Sequence, residues 1–301
     1  IRSIPCNVLN LRDDVPEISE QLADHLREVG FPYYNLTDEQ VTGVMDYMYS
    51  FPVHRIELPD DLLEQNMMGL NLANSFHPQM WSTVCKGQKT PMDVFNDKEL
   101  LKHAIVKRIG LSDSPLGDFN IRKSLKVFSG VQAVSNFRPT IAKWFYVRFG
   151  GDSTLDPCAG YSGRLVGAWG SEIKSYTGID PNTETVKNAL AGNERIKRSV
   201  EKTNRGLMWG HPVLDAEIIC SPFEDFDTPR RFDSVFTSPP YFNIEQYSNE
   251  PTQSYLRYPT YAEWRDGFLK VMIEKSYDLL KPGGHFGIDV GGKLIDDTRE
   301  I

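Results

Sequence analysis

The chain has few cysteines and no long apolar run. Its four cysteines, among 301 residues, are Cys6, Cys85, Cys158 and Cys220, and their spacing fits neither a disulfide framework nor a zinc site. No apolar stretch approaches the roughly 20 residues that span a bilayer. No charged and apolar leader opens the chain, which begins with Ile1. We therefore expect a reduced, cytoplasmic protein with neither a membrane nor a metal partner.

Basic residues are also in deficit. Lysine and arginine number 33 against 41 aspartates and glutamates, which gives a net charge of −8. This balance argues against a protein that coats nucleic acid over its whole surface, although a local basic face needs only a handful of cations. Two groups are candidates for such a face, and the solvated face of a helix is the favoured alternative for the second. The first is Lys102, His103, Lys107, Arg108, Arg122, Lys123 and Lys126, and the second is Arg195, Lys197, Arg198, Lys202 and Arg205, followed by Arg230 and Arg231.

Helical periodicity dominates the first part of the chain. A helix is predicted over residues 38–49, started by Thr37 with Gln40 three residues later in a capping box. The aromatic and methionine side chains of this region have a spacing that is typical of a packed core. We predict a mainly helical domain at residues 1–130 and a second domain at residues 131–301.

Strand and helix signals alternate from about residue 150 onward. This order is typical of a parallel sheet with crossover helices, so the second domain is predicted to have an α/β fold. The predicted strands are residues 153–156, 176–180, 213–220, 232–236 and 285–290, and the predicted helices are 164–169, 183–202 and 261–280.

A glycine-rich loop follows the first of these strands. The stretch from Asp156 to Gly163 reads Asp-Pro-x-x-Gly-x-x-Gly and leads into a helix. The glycines let the backbone approach a ligand, and the helix N-terminus supplies partial positive charge. Asp180 ends the next strand about twenty residues later, where an acid can accept both hydroxyl hydrogens of a ribose. These features predict a nucleotide-cofactor site, and they fit a dinucleotide fold as well as others.

A second motif, Ser238-Pro239-Pro240-Tyr241, ends the fourth predicted strand. Consecutive prolines carry no N–H, so their carbonyls can face a ligand without a backbone donor beside them. The Ser238 hydroxyl and the Pro239 carbonyl can then accept two hydrogens from one amino group, while Tyr241 offers a stacking face. Alone, the tetrapeptide fits a turn equally well. Together with the glycine loop, it predicts a bound methyl donor beside an amino group to be methylated.

The loop, Asp180 and the corner at residues 238–241 together resemble the amino-group DNA methyltransferases, which use S-adenosylmethionine to methylate N6 of adenine or N4 of cytosine. The resemblance covers about residues 135–291 and implies a Rossmann-like methyltransferase sheet and a double-stranded DNA partner. A weaker resemblance links the N-terminal region to phage-type DNA methylases and implies a part in DNA recognition. The implied catalytic residues are Ser238, Pro239, Pro240 and Tyr241. The implied cofactor residues are Phe137, Arg138, Pro139, Thr140, Asp156, Ala159 and Gly160 at the methionine end, Asp180 at the ribose, and Ser221, Pro222 and Phe223 at the adenine, with Pro157 and Pro181 beside them.

The chain departs from this family in two places. Family members often have an acidic residue where this chain has Ser221, so Glu224 or a backbone group is expected to hold the adenine amino group. The family's sheet normally continues after its fifth strand. We expect its further strands beyond residue 301, unless the sheet is completed in another way.

The residues alone do not decide which amino group is methylated or which polymer carries it. Serine at the first corner position is more common among the cytosine-N4 enzymes, so the resemblance favours cytosine over adenine. The alternatives are an amino-group methylase of RNA or of protein glutamine, and a cofactor-fold protein that binds nucleic acid or a partner without turnover. A dinucleotide oxidoreductase is the least favoured, because it leaves the Ser-Pro-Pro-Tyr corner unexplained.

Overall fold

The computed structural model describes residues 15–53, 66–111, 116–127, 130–204, 210–291 and 294–301. Cys6 and Arg205 lie outside the described residues. The chain forms two compact units, and each unit is built from three separate segments of the sequence. The helical unit consists of Ile1–Tyr33, Pro78–Ser135 and Ile244–Gln246, and the sheet unit consists of Tyr34–His77, Asn136–Asn243 and Tyr247–Ile301. The division into domains at residues 1–130 and 131–301 stays a prediction.

Helices and strands are numbered along the chain. The helices are α1 (Val15–Val29), α2 (Asp38–Ser50), α3 (Leu70–Phe76), α4 (Pro91–Asn96), α5 (Lys98–Leu111), α6 (Asp118–Val127), α7 (Pro139–Phe149), α8 (Gly163–Trp169), α9 (Thr183–Asn204), α10 (Ser254–Arg257), α11 (Tyr261–Trp264), α12 (Lys270–Asp278) and α13 (Leu294–Glu300). The strands are β1 (Val84–Cys85), β2 (Ser153–Asp156), β3 (Ser175–Asp180), β4 (Asp215–Cys220), β5 (Phe232–Thr237), β6 (Glu245–Gln246) and β7 (Leu280–Ile288).

The helical unit packs α1, α4, α5 and α6 around one apolar cluster. Leu22 and Leu26 of α1 lie four residues apart on one helical face, and both are buried in this cluster with Leu101 and Ile105 of α5. Each such buried side chain contributes about 1.5–3 kcal/mol relative to an exposed one. Strand β1 pairs with β6 in an antiparallel ladder in the same unit.

The sheet unit is built on five parallel strands in the order β4-β3-β2-β5-β7. The chain runs outward from β2 to β4, then continues from β5 to β7 on the other side of β2. Such sheets bind ligands outside the carboxyl ends of the strands, at the point where the strand order reverses. The predicted α/β fold with a Rossmann-like parallel sheet is confirmed. Its point of reversal lies between Asp156 and Thr237, the last residues of β2 and β5.

Two apolar clusters form the core of the sheet unit. One includes Trp169 of α8 and Tyr176 of β3, and the other includes Leu155 of β2, Val235 of β5 and Trp264 of α11. All five side chains are buried. Helices therefore cover the strands, as expected for a parallel sheet. Within the described ranges, every helix is too short or too polar to cross a membrane.

Local signals set several element boundaries, and tertiary pairing sets others. The capping box at α2 is confirmed, because Thr37 and Gln40 exchange side-chain-to-backbone hydrogen bonds. The predicted helix at residues 261–280 contains a π-helical turn and ends at Asp278. Strand β7 begins earlier than the predicted residue 285, because Leu280 pairs with Phe232 before a register shift in the ladder.

Candidate active site

The first residue of the glycine-rich loop, Asp156, is fully buried at the end of β2. Its Oδ2 accepts hydrogen bonds from Arg164 Nε and from the Tyr176 hydroxyl, both at 2.7 Å. Its Oδ1 accepts hydrogen bonds from the Thr237 hydroxyl at 3.0 Å and from the Cys158 N–H at 3.3 Å. A carboxylate offers about four lone-pair positions, and these donors occupy all of them. The Asp156 carboxylate therefore anchors the loop, and the role of Asp156 at the methionine end of a cofactor stays a prediction.

Arg164 of α8 completes this buried cluster. Its guanidinium donates to the Cys158 carbonyl as well as to Asp156, and it lies 5.0 Å from the centre of the Phe137 ring. Burial opposes the charge of Arg164, but the Asp156 carboxylate outweighs this effect and raises the pKa of the guanidinium. Removal of either partner would leave an uncompensated buried charge, which is strongly destabilising.

The loop passes from Ala159 to Gly160 directly beside Asp180. Gly160 has a left-handed backbone with φ of 56°, a conformation that favours glycine. Its N–H donates to Asp180 Oδ2 at 2.9 Å, and the Asn182 N–H donates to Oδ1 at 2.9 Å. Burial raises the pKa of Asp180 to about 6, although these two N–H groups lower it. Each carboxylate oxygen keeps one lone-pair position, which fits the two hydroxyl hydrogens of a ribose.

The segment before α7 approaches the glycine loop closely. A Cβ on Gly163 would lie 2.2 Å from the Phe137 carbonyl oxygen, so only glycine fits at this position. The Asn136 side chain donates to the Tyr161 carbonyl at 2.7 Å, which fixes the segment against the loop. The Thr140 hydroxyl is buried and donates to the carbonyl of residue 66. The predicted residues of this segment that lie at or next to the α7 N-terminus are Phe137, Arg138, Pro139 and Thr140.

Two of the three residues expected at the adenine are accessible at the end of β4. Ser221 and Pro222 are half-buried, and the Ser221 N–H donates to the Asp180 carbonyl at 3.1 Å. Phe223 is only 1% exposed, and its ring lies in the core 5.4 Å from the Lys275 ammonium. The expectation that Phe223 flanks an adenine ring stays a prediction, and it would require this buried ring to become accessible.

The next residue, Glu224, has the chemistry expected of an amino-group acceptor. Its side chain is 8% exposed, and its Oε1 has no hydrogen-bond partner among the described residues. Arg257 lies 3.5 Å from that oxygen. Burial raises the pKa of Glu224. A buried acceptor that has an ion pair but no hydrogen bond fits the exocyclic amine of an adenine, which brings its own hydrogens.

The Ser-Pro-Pro-Tyr corner continues directly from β5. Thr237, the last residue of that strand, is fully buried, and its hydroxyl accepts a hydrogen bond from the Cys158 N–H at 3.1 Å. Ser238, Pro240 and Tyr241 are half-buried and Pro239 is buried. The fold therefore brings the start of the corner within one side-chain hydrogen bond of the glycine loop.

The residue after the corner has a strained backbone. Phe242 has φ of 47°, which is uncommon for a residue with a bulky side chain. Its ring packs against Tyr261 and Trp264 at centroid distances of 5.8 and 5.9 Å. Strain of this kind costs about 1–3 kcal/mol and is often found at functional sites.

Sequence patterns missed two contacts that support the loop. His77 is fully buried, and its Nε2 lies 2.7 Å from the Ser162 hydroxyl. Burial lowers the pKa of His77 to about 3, so the ring is neutral at ordinary pH. The Tyr247 ring meets the Tyr161 ring at 5.6 Å. Neither contact has a local signal in the sequence.

Two of the cysteines, Cys158 and Cys220, lie at or just beyond the carboxyl ends of β2 and β4. Burial raises the pKa of the Cys158 thiol, so it is a poor nucleophile. Cys220 is exposed at the end of β4. Among the described residues, no group of three or more histidine, cysteine, aspartate or glutamate side chains could hold a metal ion.

Most cations of the first basic group are engaged within the helical unit. Lys102 forms an ion pair with Glu20 at 2.6 Å, Arg122 is buried, and Lys126 lies 4.5 Å from the centre of the Trp81 ring. Lys107 and Lys123 are exposed. In the second group, Arg195 pairs with Asp38 at 3.1 Å and Arg230 pairs with Glu217 at 3.0 Å.

Comparison with known proteins gives distant structural likenesses. No protein-family model and no curated protein sequence matches the chain. Among solved structures, the chain is similar to an rRNA methylase of Streptococcus thermophilus, with 14% identity, a TM-score of 0.34, and coverage of 56% of this chain and 80% of that one. It is also similar to a protein named as a class I S-adenosylmethionine-dependent methyltransferase of Listeria monocytogenes, with 13% identity, a TM-score of 0.39, and coverage of 96% and 77%.

A third similar structure is an S-adenosylmethionine-dependent methyltransferase of Agrobacterium tumefaciens. The identity is 15% and the TM-score 0.34, and the match covers 56% of this chain and 50% of that one, so this chain spans about half its length. At such low identities and TM-scores, these likenesses carry no inference about activity. The fold assignment rests on the strand order, and the function must be argued from the site.

Proposed function

We propose that the chain binds S-adenosylmethionine and transfers its methyl group to the exocyclic amino group of a DNA base, with cytosine N4 favoured over adenine N6. One observation carries this proposal. The Thr237 hydroxyl, one residue before Ser238, is hydrogen-bonded to both Cys158 and Asp156 in the glycine loop. A cofactor held by the loop and an amino group held by the corner would therefore meet at the same edge of the sheet.

Residues at the carboxyl ends of β3 and β4 fit the nucleoside part of the cofactor. Asp180 would accept the two ribose hydroxyl hydrogens, because each of its oxygens keeps one lone-pair position beside a backbone N–H. Glu224 would accept a hydrogen of the adenine amine at its Oε1, which pairs with Arg257 at 3.5 Å but accepts no hydrogen bond from the described residues. Gly160, with its left-handed backbone, would let the main chain approach the ligand. When bound, S-adenosylmethionine supplies an electrophilic methyl group on a sulfonium.

The corner would make an amino group reactive by positioning it. An exocyclic base amine is a weak nucleophile, because its lone pair is delocalised into the ring. The Ser238 hydroxyl and the Pro239 carbonyl would accept its two hydrogens and favour a more tetrahedral nitrogen. Tyr241 would stack on the ring and fix the direction of attack. Orientation of this kind supplies up to about 7–11 kcal/mol of a barrier. The nitrogen–carbon bond would form as the carbon–sulfur bond of the sulfonium breaks, which leaves a neutral thioether, and the methylated amine would then lose one proton to water.

Duplex DNA hides such an amine, so the base would have to leave the helix. Extrusion costs a few kcal/mol, and contacts to the phosphates would offset that cost. Lys107 and Lys123 are exposed candidates for phosphate contacts. We retain DNA as the substrate because of the Ser238-Pro239-Pro240-Tyr241 corner and its resemblance to DNA amino-group methyltransferases. RNA and protein amines are the alternatives that experiment must separate.

The test is transfer of labelled methyl from S-adenosylmethionine to duplex DNA, with RNA and protein acceptors in parallel, followed by nucleoside mass analysis. N4-methylcytosine in the DNA is the expected product, and N6-methyladenine would change only the target amine. Label in RNA or protein alone would overturn the DNA assignment. If the protein binds the cofactor but labels none of the DNA, RNA and protein acceptors, the proposed methyl-transfer function is wrong.

A further inference from the structure

On the basis of the methyl-transfer function proposed above, we propose that Thr237 is a positioning residue. Its hydroxyl would set the catalytic corner relative to the cofactor loop by acting through Asp156. Thr237 itself would contact neither cofactor nor base, because its side chain is fully buried between the two segments.

The position of Thr237 in the sheet gives the physical reason. The ladder between β2 and β5 pairs Thr154 with Ser234 and Leu155 with Val235. Thr237 lies two residues beyond the last of these pairs, where β2 ends and the glycine loop begins. Past that point, the Thr237 hydroxyl replaces the ladder as the link between the two chain segments.

The hydroxyl of Thr237 both donates and accepts a hydrogen bond. It donates to Asp156 Oδ1 at 3.0 Å and accepts the Cys158 N–H at 3.1 Å. The Thr237 carbonyl accepts the Asp289 N–H at 2.9 Å from the other side. Both the side chain and the backbone of Thr237 are therefore fixed immediately before Ser238. Since Asp156 is held in turn by Arg164, a shift of the loop would be transmitted to the corner through these bonds.

Ser234 provides a matched control in the same strand. It is also fully buried, and its hydroxyl bonds to Thr154 Oγ1 at 2.9 Å and to the Gly150 carbonyl at 3.1 Å. These hydrogen bonds of the Ser234 hydroxyl lie at a position where the ladder between β2 and β5 is still paired. Ser234→Ala therefore removes a buried hydroxyl of β5 without touching the link between loop and corner.

The experiment compares Thr237→Val, Thr237→Ser and Ser234→Ala by hydrogen exchange of the free protein. Thr237→Val should speed exchange of the amides at residues 158–163, at Ser238 and at residues 241–243 together by about tenfold or more. Thr237→Ser should restore protection, and Ser234→Ala should leave both segments unchanged. Unchanged exchange in Thr237→Val, or equal effects of Thr237→Val and Ser234→Ala, would overturn the proposal.

Kinetics give a second readout with the same variants. Thr237→Val should lower kcat by about 10- to 100-fold, as expected for misplaced reacting groups, and should change the Kd for S-adenosylmethionine by less than about threefold. A loss of affinity without a loss of kcat would overturn the positioning role. If the wild-type protein transferred no methyl group at all, the proposed function would fail, while hydrogen exchange would still decide whether Thr237 couples the two segments.

Discussion

The affinity for S-adenosylmethionine should rise with pH between about 5 and 7, because of Asp180. The pKa of this carboxyl is raised to about 6 in the free protein by burial. Hydroxyl donors of a ribose stabilise the ionised form, so the cofactor should bind the carboxylate and release a proton. At pH 5, only about one tenth of the carboxyl would be ionised, which predicts a Kd about tenfold higher than at pH 7. On the order of 1.4 kcal/mol of binding free energy would be lost over this interval.

Titration calorimetry at pH 5, 6 and 7, in buffers of different ionisation enthalpy, measures both the Kd and the proton release. Asp180→Asn is the control, because it keeps one acceptor oxygen but cannot ionise. It should bind about 10- to 30-fold more weakly at pH 7, from the loss of one charge-assisted hydrogen bond, and its Kd should not change with pH. A wild-type Kd that is flat over this range, or the same pH dependence in Asp180→Asn, would refute the role of Asp180.

The same shift has a consequence for the stability of the free protein. The carboxyl has a pKa of 3.8 in the unfolded chain and about 6 in the folded one, so the folded state binds more protons between these values. The contribution of Asp180 to stability is therefore lost as pH rises from about 4 to about 6. Ionisation of the buried Asp180 carboxyl therefore lowers the stability of the free protein. The hydroxyl donors of a bound ribose would offset this loss.

Three further substitutions test other parts of the site. Ser238→Ala should lower kcat by about 100-fold, as for loss of one donor or acceptor in a transition state. The Kd for the cofactor, measured by calorimetry, should not change. Equal rates in the variant and the wild-type protein would exclude Ser238 as an acceptor for the amino group. Gly163→Ala would place a Cβ 2.2 Å from the Phe137 carbonyl, and should lower the unfolding free energy by about 2 kcal/mol or more in denaturant titration. Paired replacement of Lys107 and Lys123 by alanine should reduce the slope of log K against log salt for DNA by about 2, and an unchanged slope would exclude them as phosphate contacts.

Local signals were sufficient to predict the five strands of the parallel sheet and several of the helices. The ends of β2 and β3 follow from the aspartates that close short apolar runs, and the start of α2 follows from Thr37 and Gln40, whose hydrogen bonds span three residues. These features depend on neighbours in the sequence, so periodicity and capping rules detect them. The early start of β7 was missed because it depends on the pairing of Leu280 with Phe232.

The site was predicted less completely, because its contacts are distant in the sequence. Asp156 could be placed at the end of a strand, but its partner Thr237 lies 81 residues away, and no local pattern indicates that bond. Phe223 could be placed after β4, but its burial depends on packing against helices that follow much later in the chain. His77 meets Ser162 across 85 residues. The sequence therefore predicts the elements that carry the candidate site, but not the long-range contacts that orient them.

Asp156 and Asp180 end two adjacent strands of the sheet, β2 and β3, but their carboxylates have different hydrogen-bond partners. Asp156 receives four hydrogen bonds from the protein, one of them from the buried Arg164. Asp180 receives one backbone N–H on each oxygen, and no ion pair to it occurs among the described residues. A ribose would offer Asp180 two hydroxyl donors, as Tyr176 and Thr237 do for Asp156. The unfilled acceptor positions, rather than the position in the sequence, therefore support the proposal that Asp180 faces a ligand.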